Sequence, residues 1–256
     1  MLNSQITDII ETICPLDGQE PWDNSGWQTG NPAGECTGAL ICVDVTEEIL
    51  DEAARLGCNL VITHHPLLFH ATRRLTGRDR VERCVAKSFA TGISVYSAHT
   101  SADCARQGVS VEIARIIGLE NIAPLTPSGL GATGDLTQPM HWRQFIASVK
   151  QHLGNPTVRV SQPPTPDHTI SRVAICGGSG GDLMPAAIAA GAQILVTADC
   201  KHNQFLDHTS QAMLVDAGHF ETEQCTKEIF YRAITEKIPN FAVWKSAVEK
   251  NPVLYL

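Results

Sequence analysis

Leu60-Val61-Ile62-Thr63-His64-His65-Pro66 and, 134 positions further on, Ile194-Leu195-Val196-Thr197-Ala198-Asp199 decide how this chain is read. Each apolar triplet has the length and character of a buried strand. Pro66 lacks an N–H and resists continuing the ladder, so the histidine pair lies where a strand ends and the chain turns away. At the same offset, and without a gap, Ile41-Cys42 aligns with Ile175-Cys176, Ala53 with Ala187 and Gly57 with Gly191. A third strand follows in each half and ends near a histidine. It is Ser94-Val95-Tyr96-Ser97-Ala98-His99 in the first half and Met213-Leu214-Val215-Asp216-Ala217-Gly218-His219 in the second. Any two β-α-β units share some of this grammar. The matched glycine and threonine in an ungapped register favour a duplicated architecture.

The expected fold class is therefore α/β, with two similar lobes of β-α-β units facing each other across a metal-binding cleft. Working outward, Ile6, Ile9, Ile10 and Ile13 recur at helical spacing. Ala39 to Val43 reads as a strand, and Glu47 to Leu56 as a helix capped by Thr46, with Glu47 and Glu48 favoured by the dipole of its first turn. Further helices are expected over Arg80–Ala90 and Gln144–Leu153, and a strand over Thr157–Val160. The proline- and glycine-rich stretch from Pro124 to Pro166 reads as the crossing between halves. The division expected is residues 1–125 plus 215–256 for one lobe and 126–214 for the other.

The 256 residues are enough for one large or two small domains. The net charge of −8, with no Lys/Arg run longer than a pair, argues against a nucleic-acid-binding face but not against a small anionic ligand. Met1 to Ile13 carries Asp8 and Glu11 and no basic residue, unlike a signal or transit peptide. No apolar stretch approaches the roughly 20 residues of a membrane span. Nine scattered cysteines without a Cys-x-x-Cys read as reduced core thiols, which places the protein in the cytoplasm.

In α/β sheets, ligands collect outside the carboxyl ends of the strands. His64, His65, His99, Asp199 and His219 all fall there. His99 precedes Asp103 by four residues, and His219 precedes Glu223 by four. On a helix such pairs share a face. Each pair alone is equally a surface histidine and acid, but six potential ligands at strand ends together point to metal. Imidazole with carboxylate suits Zn, Fe, Mn or Ni better than calcium or magnesium. Successive side chains on an extended segment point to opposite sides, so two neighbouring ions can take one histidine each. Six donors exceed one tetrahedral ion. Two divalent transition-metal ions are expected, with Glu223 bridging a gap of about 3.5–4 Å, His65 and Asp103 on one ion, and His64 and His219 on the other. Catalytic roles fall to Glu223 and to His99, the latter as a further ligand or an acid/base.

Several features stay open. Asp199 and His202 either line the same cleft or are a turn acid and a surface histidine. Gly177-Gly178-Ser179-Gly180-Gly181-Asp182 is either a phosphate-cradling loop or a tight turn that needs glycine dihedrals. Arg73, Arg74, Arg78 and Arg80 face either an anionic substrate or solvent. Trp22 and Trp27 wall a pocket or belong to the core. No partner is evident for a cysteine nucleophile.

Trp22-Asp23-Asn24-Ser25-Gly26, Val43-Asp44-Val45-Thr46, Thr63-His64-His65-Pro66-Leu67, Ala98-His99-Thr100 with Asp103, Cys176-Gly177-Gly178-Ser179-Gly180 and Ala217-Gly218-His219-Phe220-Glu221-Thr222-Glu223 occur in that order. Together they resemble the NIF-three-like dinuclear metal-centre family, some members of which are labelled GTP cyclohydrolase 1 type 2 homologues. The resemblance spans nearly the whole chain. It implies two α/β lobes, a dinuclear site between them, a homohexameric ring of dimers, and metal binding by His64, His65, Asp103, His219 and Glu223. Ser101-Ala102-Asp103 stands where many relatives have Asn-Leu-Asp, and Ala198-Asp199 where many have Gly-Asp. No large domain is inserted between the halves. The activity expected is a dinuclear metallohydrolase that uses metal-bound hydroxide on a small anionic or heterocyclic substrate, in cyclohydrolase-like C–N or phosphoester hydrolysis. The alternative is a non-catalytic metal-binding protein with a regulatory or partner-binding role.

Overall fold

Two mixed sheets, each with a parallel centre, carry the chain. The computed structural model describes residues 1–207 and 210–255. Contacts divide it into two units: Met1–Ala105 with Thr226–Lys250, and Arg106–Cys225 with Asn251–Leu256. The first unit opens with α1 (Asn3–Ile13), β1 (Gly26–Thr29), β2 (Ala39–Cys42), α2 (Glu47–Arg55), β3 (Leu60–Thr63), α3 (Arg80–Thr91), β4 (Ser94–Ser97) and α4 (Thr100–Asp103). The second holds α5 (Val109–Ile116), β5 (Glu120–Pro124), β6 (Ala132–His141), α6 (Trp142–Leu153), β7 (Arg159–Val160), β8 (Thr169–Ser179), α7 (Met184–Ala189), β9 (Ile194–Ala198), α8 (His202–Leu206), β10 (Met213–Asp216) and α9 (His219–Glu223). The chain then returns to the first unit through α10 (Thr226–Lys237) and β11 (Val243–Lys245). Among the described residues, no helix is long and apolar enough to cross a membrane.

The first sheet runs β1-β4-β3-β2-β11, with β1 antiparallel and the rest parallel. The second runs β5-β6-β8-β9-β10-β7, with β8, β9 and β10 parallel and the other pairings antiparallel. Strands β2, β3 and β9 are buried along their whole length, as parallel strands covered on both faces must be. Helix α2 starts as its sequence dictates: the Thr46 hydroxyl accepts from the Ile49 N–H at 3.3 Å. Ile49, Leu50 and Ala53 form its buried face, and Gly57 follows with a φ of +71° that a side chain would resist.

The duplication is visible in the ladders. Ala39 pairs with Leu60 in the first sheet, and Val173 with Ile194 in the second, so both partners shift by the same 134 residues. The turn Gly181–Leu183 and α7 occupy the positions that α2 holds in the first unit. The third strands, β4 and β10, break the common offset because α3 and the loop before it are both longer than α8 and the loop before that.

By contacts the units divide at 105/106, 225/226 and 250/251, whereas the sequence reading divides the chain at 125/126 and 214/215. The contact division follows packing: α5 lies on β8, β5 pairs with β6, and β10 pairs with β9. Much of the stretch read as a crossing is likewise sheet and helix of the second unit, in β6 and α6. The expected strand over Thr157–Val160 shortens to β7.

Candidate metal centre

In the first unit the ladder holds the histidine pair one step beyond β3. The His64 N–H donates to the Cys42 carbonyl at 3.2 Å and the His65 N–H to the Val43 carbonyl at 2.9 Å. Each ring is then oriented through Nδ1. His64 Nδ1 lies 3.0 Å from the Ala98 carbonyl, and His65 Nδ1 lies 3.1 Å from Asp44 Oδ1. Both partners can only accept, so Nδ1 carries the proton and Nε2 carries the lone pair a metal needs. Asp44 is itself held from below: Glu249 Oε1 accepts from the Val43 and Asp44 N–H groups at 2.7 and 2.9 Å.

His99 joins them from the end of β4. Its Nδ1 donates to Asp23 Oδ1 at 2.7 Å. Asp23 Oδ2 accepts from the Thr100 N–H, the Thr100 hydroxyl and the Ser25 hydroxyl. Burial works against the Asp23 charge, but the hydrogen bonds from His99, Thr100 and Ser25 outweigh it and hold the carboxyl well below the usual carboxylate range. The imidazole centroids of His64, His65 and His99 lie 5.0, 5.2 and 5.5 Å apart, and their ligand nitrogens fall within 4.8 Å of one another. The single turn of α4 returns Asp103 under the cluster, with its N–H on the His99 carbonyl at 3.1 Å. Asp103 Oδ1 is 3.8 Å from His64 Nε2.

One expectation is corrected here. The histidine rings do not diverge to opposite sides, because the chain has left strand geometry after Thr63 and bends through both residues. Asp103 also stands beside His64, which is fully buried.

In the second unit the donors come from α9. His219 Nε2 and Glu223 Oε2, four residues apart, are 2.9 Å from each other, a separation that one shared proton or one shared cation accounts for. His219 Nδ1 donates to Asp199 Oδ2 at 2.7 Å. Asp199 sits in the left-handed region at φ +52°, which is rare for a side-chain-bearing residue. Glu223 is only 2% exposed. Its room comes from Gly178, where a Cβ would lie 2.1 Å from Glu223 Oε1 and 3.2 Å from His219 Nε2. Gly178 is thus required twice over, by this close approach and by its φ of +62°. Gly177 and Gly178 are still within β8, and Gly178 donates its N–H to Thr222 Oγ1 at 3.0 Å.

The donor chemistry fits divalent transition metals. Imidazoles oriented through Nδ1 by a carbonyl or carboxylate, together with buried carboxylates, are the usual partners of such ions. Cys14 is no competitor: burial, aided by the Asp103 charge, pushes its thiol up to about 12. His202 is exposed at the start of α8, Trp22 is exposed beside His99, and Trp27 packs edge-on to Tyr96 within the first sheet. The orienting acids Asp23 and Asp44 were not expected as part of the site. Asp44 had a signal, since it follows the carboxyl end of β2.

The profile of the Duf34/NIF3 (NGG1p interacting factor 3) family matches residues 1–252. A "GTP cyclohydrolase 1 type 2 homolog" of Lactococcus lactis is 32% identical over 252 residues, covering 94% of this chain and 95% of the relative. One of the same name from Streptomyces coelicolor is 32% identical over 231 residues, covering 86% and 81%. Among solved structures, a Bacillus cereus protein related to NIF3 superposes with a TM-score of 0.94 at 22% identity, over 100% of this chain and 99% of that one. A Staphylococcus aureus hypothetical protein gives 0.92 at 26%, with the same coverage. The chain belongs to the Duf34/NIF3 family.

Proposed function

We propose that this protein is a metal-dependent hydrolase that holds two divalent transition-metal ions through His64, His65, Asp103, His219 and Glu223. The observation that supports this best is the triangle of imidazoles at the carboxyl ends of β3 and β4, each oriented through Nδ1 by an acceptor. Zn, Fe, Mn and Ni all suit such donors. Bound ions of this kind supply Lewis acidity and lower the pKa of water. The chain's own residues do the rest. Asp44 and Asp199 aim His65 and His219. Asp23 aims His99, which is placed to move a proton at the substrate through Nε2. Glu223, buried beside His219, is the carboxylate suited to joining two ions.

The relatives' name points the search for a substrate to C–N bonds of heterocyclic rings and to phosphoesters, in a small anionic molecule. Nine cysteines, with no disulfide among the described residues, support a cytoplasmic setting, and the family resemblance supports a homohexamer. The test is metal analysis of purified wild type and Glu223→Ala, followed by a hydrolysis screen over nucleotides, cyclic amides and phosphoesters. About two ions per chain, with metal and turnover both lost in the variant, supports the proposal. Full occupancy without turnover favours a non-catalytic metal-binding role. Failure to take up any transition metal on reconstitution sinks both.

A further inference from the structure

The loop that leaves His65 has a composition the metal donors do not explain. Together with the first turn of α3 it lines a basin of about 800 Å³, and Arg73, Arg74, Arg78 and Arg80 all border it. Four guanidiniums within eight residues repel one another unless something compensates them. Two acids share the basin, Asp79 and Glu82, but both are committed to the backbone. Asp79 Oδ1 caps α3 by accepting from the Glu82 N–H at 2.9 Å. Glu82 Oε2 accepts from the Thr76 N–H and hydroxyl, each at 2.7 Å, and from the Arg78 N–H at 3.1 Å. Arg80 is anchored on the Val45 carbonyl. Arg78 approaches Glu82 no nearer than 3.7 Å and is 74% exposed in its side chain. Among the described residues, neither Arg73 nor Arg74 has a carboxylate within ion-pair distance, and both are exposed. The basin's fixed acids thus shape its wall, while Arg73 and Arg74 are left to meet whatever enters.

Phe69 ties this basin to the histidine cluster. It borders the basin, its ring centroid lies 6.0 Å from that of His99, and it is 44% exposed. The basin and the imidazole cluster therefore adjoin at Phe69.

We propose that this basin is an anion subsite for the phosphate groups of a phosphorylated small-molecule substrate, with Arg73 and Arg74 as its specificity-determining residues. Planar guanidiniums grip phosphate oxygens in pairs, which a solvated surface face does not require. The inference rests on the hydrolase reading for what happens to the substrate, but the binding step can be measured separately.

The experiment is calorimetric titration of inorganic pyrophosphate into the purified protein, into Arg73→Ala/Arg74→Ala and into Glu223→Ala, at low and at high salt. Wild type is expected to bind with an affinity that falls as salt rises. The double arginine variant should lose about tenfold or more in affinity, because two charge-assisted contacts go. Glu223→Ala should bind pyrophosphate within about threefold of wild type, whatever metal it retains. Equal affinity in wild type and the arginine variant overturns the inference, as does a wild type that binds no pyrophosphate. Binding that vanishes in Glu223→Ala but survives in the arginine variant places the anion on the metals; the basin then fails and the metal reading stands. Binding that depends on the arginines in a protein that takes up no metal leaves the basin standing and removes the hydrolase.

Discussion

The two units share one β-α-β frame and use its strand ends in opposite ways. In the first, the middle strand ends in the donors His64 and His65, and the strand before it ends near Asp44, the acid that aims His65. At the matching offset in the second unit the donors have gone: Ala198 and Asp199 replace the histidines, and Gly178 replaces Asp44. Asp199 now plays the aiming part, for a histidine on α9, and the glycine vacates the space that the Glu223 carboxylate fills. Duplication supplied the ladder register and the turn positions. What each strand end does was then set by one or two side chains, and an acid or a glycine counts as much as a ligand.

The largest expected effect separates the two aiming acids by how they are supported. Asp199 is fixed by its own strained backbone, but Asp44 hangs from Glu249, a residue that reaches the site only when the chain returns after α10. Glu249 is 4% exposed in its side chain and also pairs with Lys227 at 2.7 Å. Glu249→Ala leaves a nearly buried ammonium and two amide donors behind, and should cost about 3–5 kcal/mol in urea unfolding. Glu249→Gln, which can still accept from both amides, should recover part of that loss. Equal loss in both variants would show that the Lys227 pair matters and the amide contacts do not.

Next comes the glycine. Gly178→Ala puts a methyl group 2.1 Å from Glu223 Oε1, at a φ of +62° that itself costs about 1 kcal/mol or more. Displacing Glu223 and His219 should weaken metal retention by about 10–100-fold, the range seen when groups around a metal ligand are disturbed. Metal analysis after dialysis against a chelator reads this. Retention equal to wild type would mean the second unit's donors are not what the glycine protects.

Smaller still is the contrast between Asp44→Ala and Asp199→Ala. Each removes one Nδ1 partner, and each should lower metal affinity by about tenfold. The Asp199 variant should lose more, since its bond is 2.7 Å long against 3.1 Å for Asp44. A reversed order would make the extra support under Asp44 the stronger influence.

How much of this was legible in the sequence follows from what periodicity can carry. The apolar runs of β2, β3, β4, β9 and β10, the Thr46 cap and the Gly57 stop announce themselves, because burial and dihedral demands write directly onto residue type. The His-x3-acid spacing of α4 and α9 was legible for the same reason. The edge strand β1 does not announce itself, since a short strand at the end of a sheet needs no alternation. Asp23 lies in an irregular loop, where polar residues are the rule and nothing marks the one that is buried against His99. The two rings of the histidine pair stay together, 5.0 Å apart, because strand alternation does not extend through His64 and His65, where the backbone has stopped being a strand.

Asp23 also gives the smallest effect, one that depends on pH. The first unit buries the acid behind its third imidazole, whereas Asp199 in the second is 59% exposed in its side chain. Burial raises the free energy of the Asp23 charge, but the His99, Thr100 and Ser25 hydrogen bonds more than compensate and depress its folded pKa. A depressed carboxyl stabilises the fold fully above the unfolded value of about 3.9, and that stability is lost as pH falls from there towards the folded value. Asp23→Asn should therefore be less stable than wild type by about 1–2 kcal/mol at pH 6, and the gap should narrow as the pH drops below about 4. Urea unfolding at pH 6, 5, 4 and 3 measures it. A gap that stays constant across that range would mean the lost hydrogen bonds are indifferent to the charge, and the Asp23–His99 pair would then position the imidazole by geometry alone.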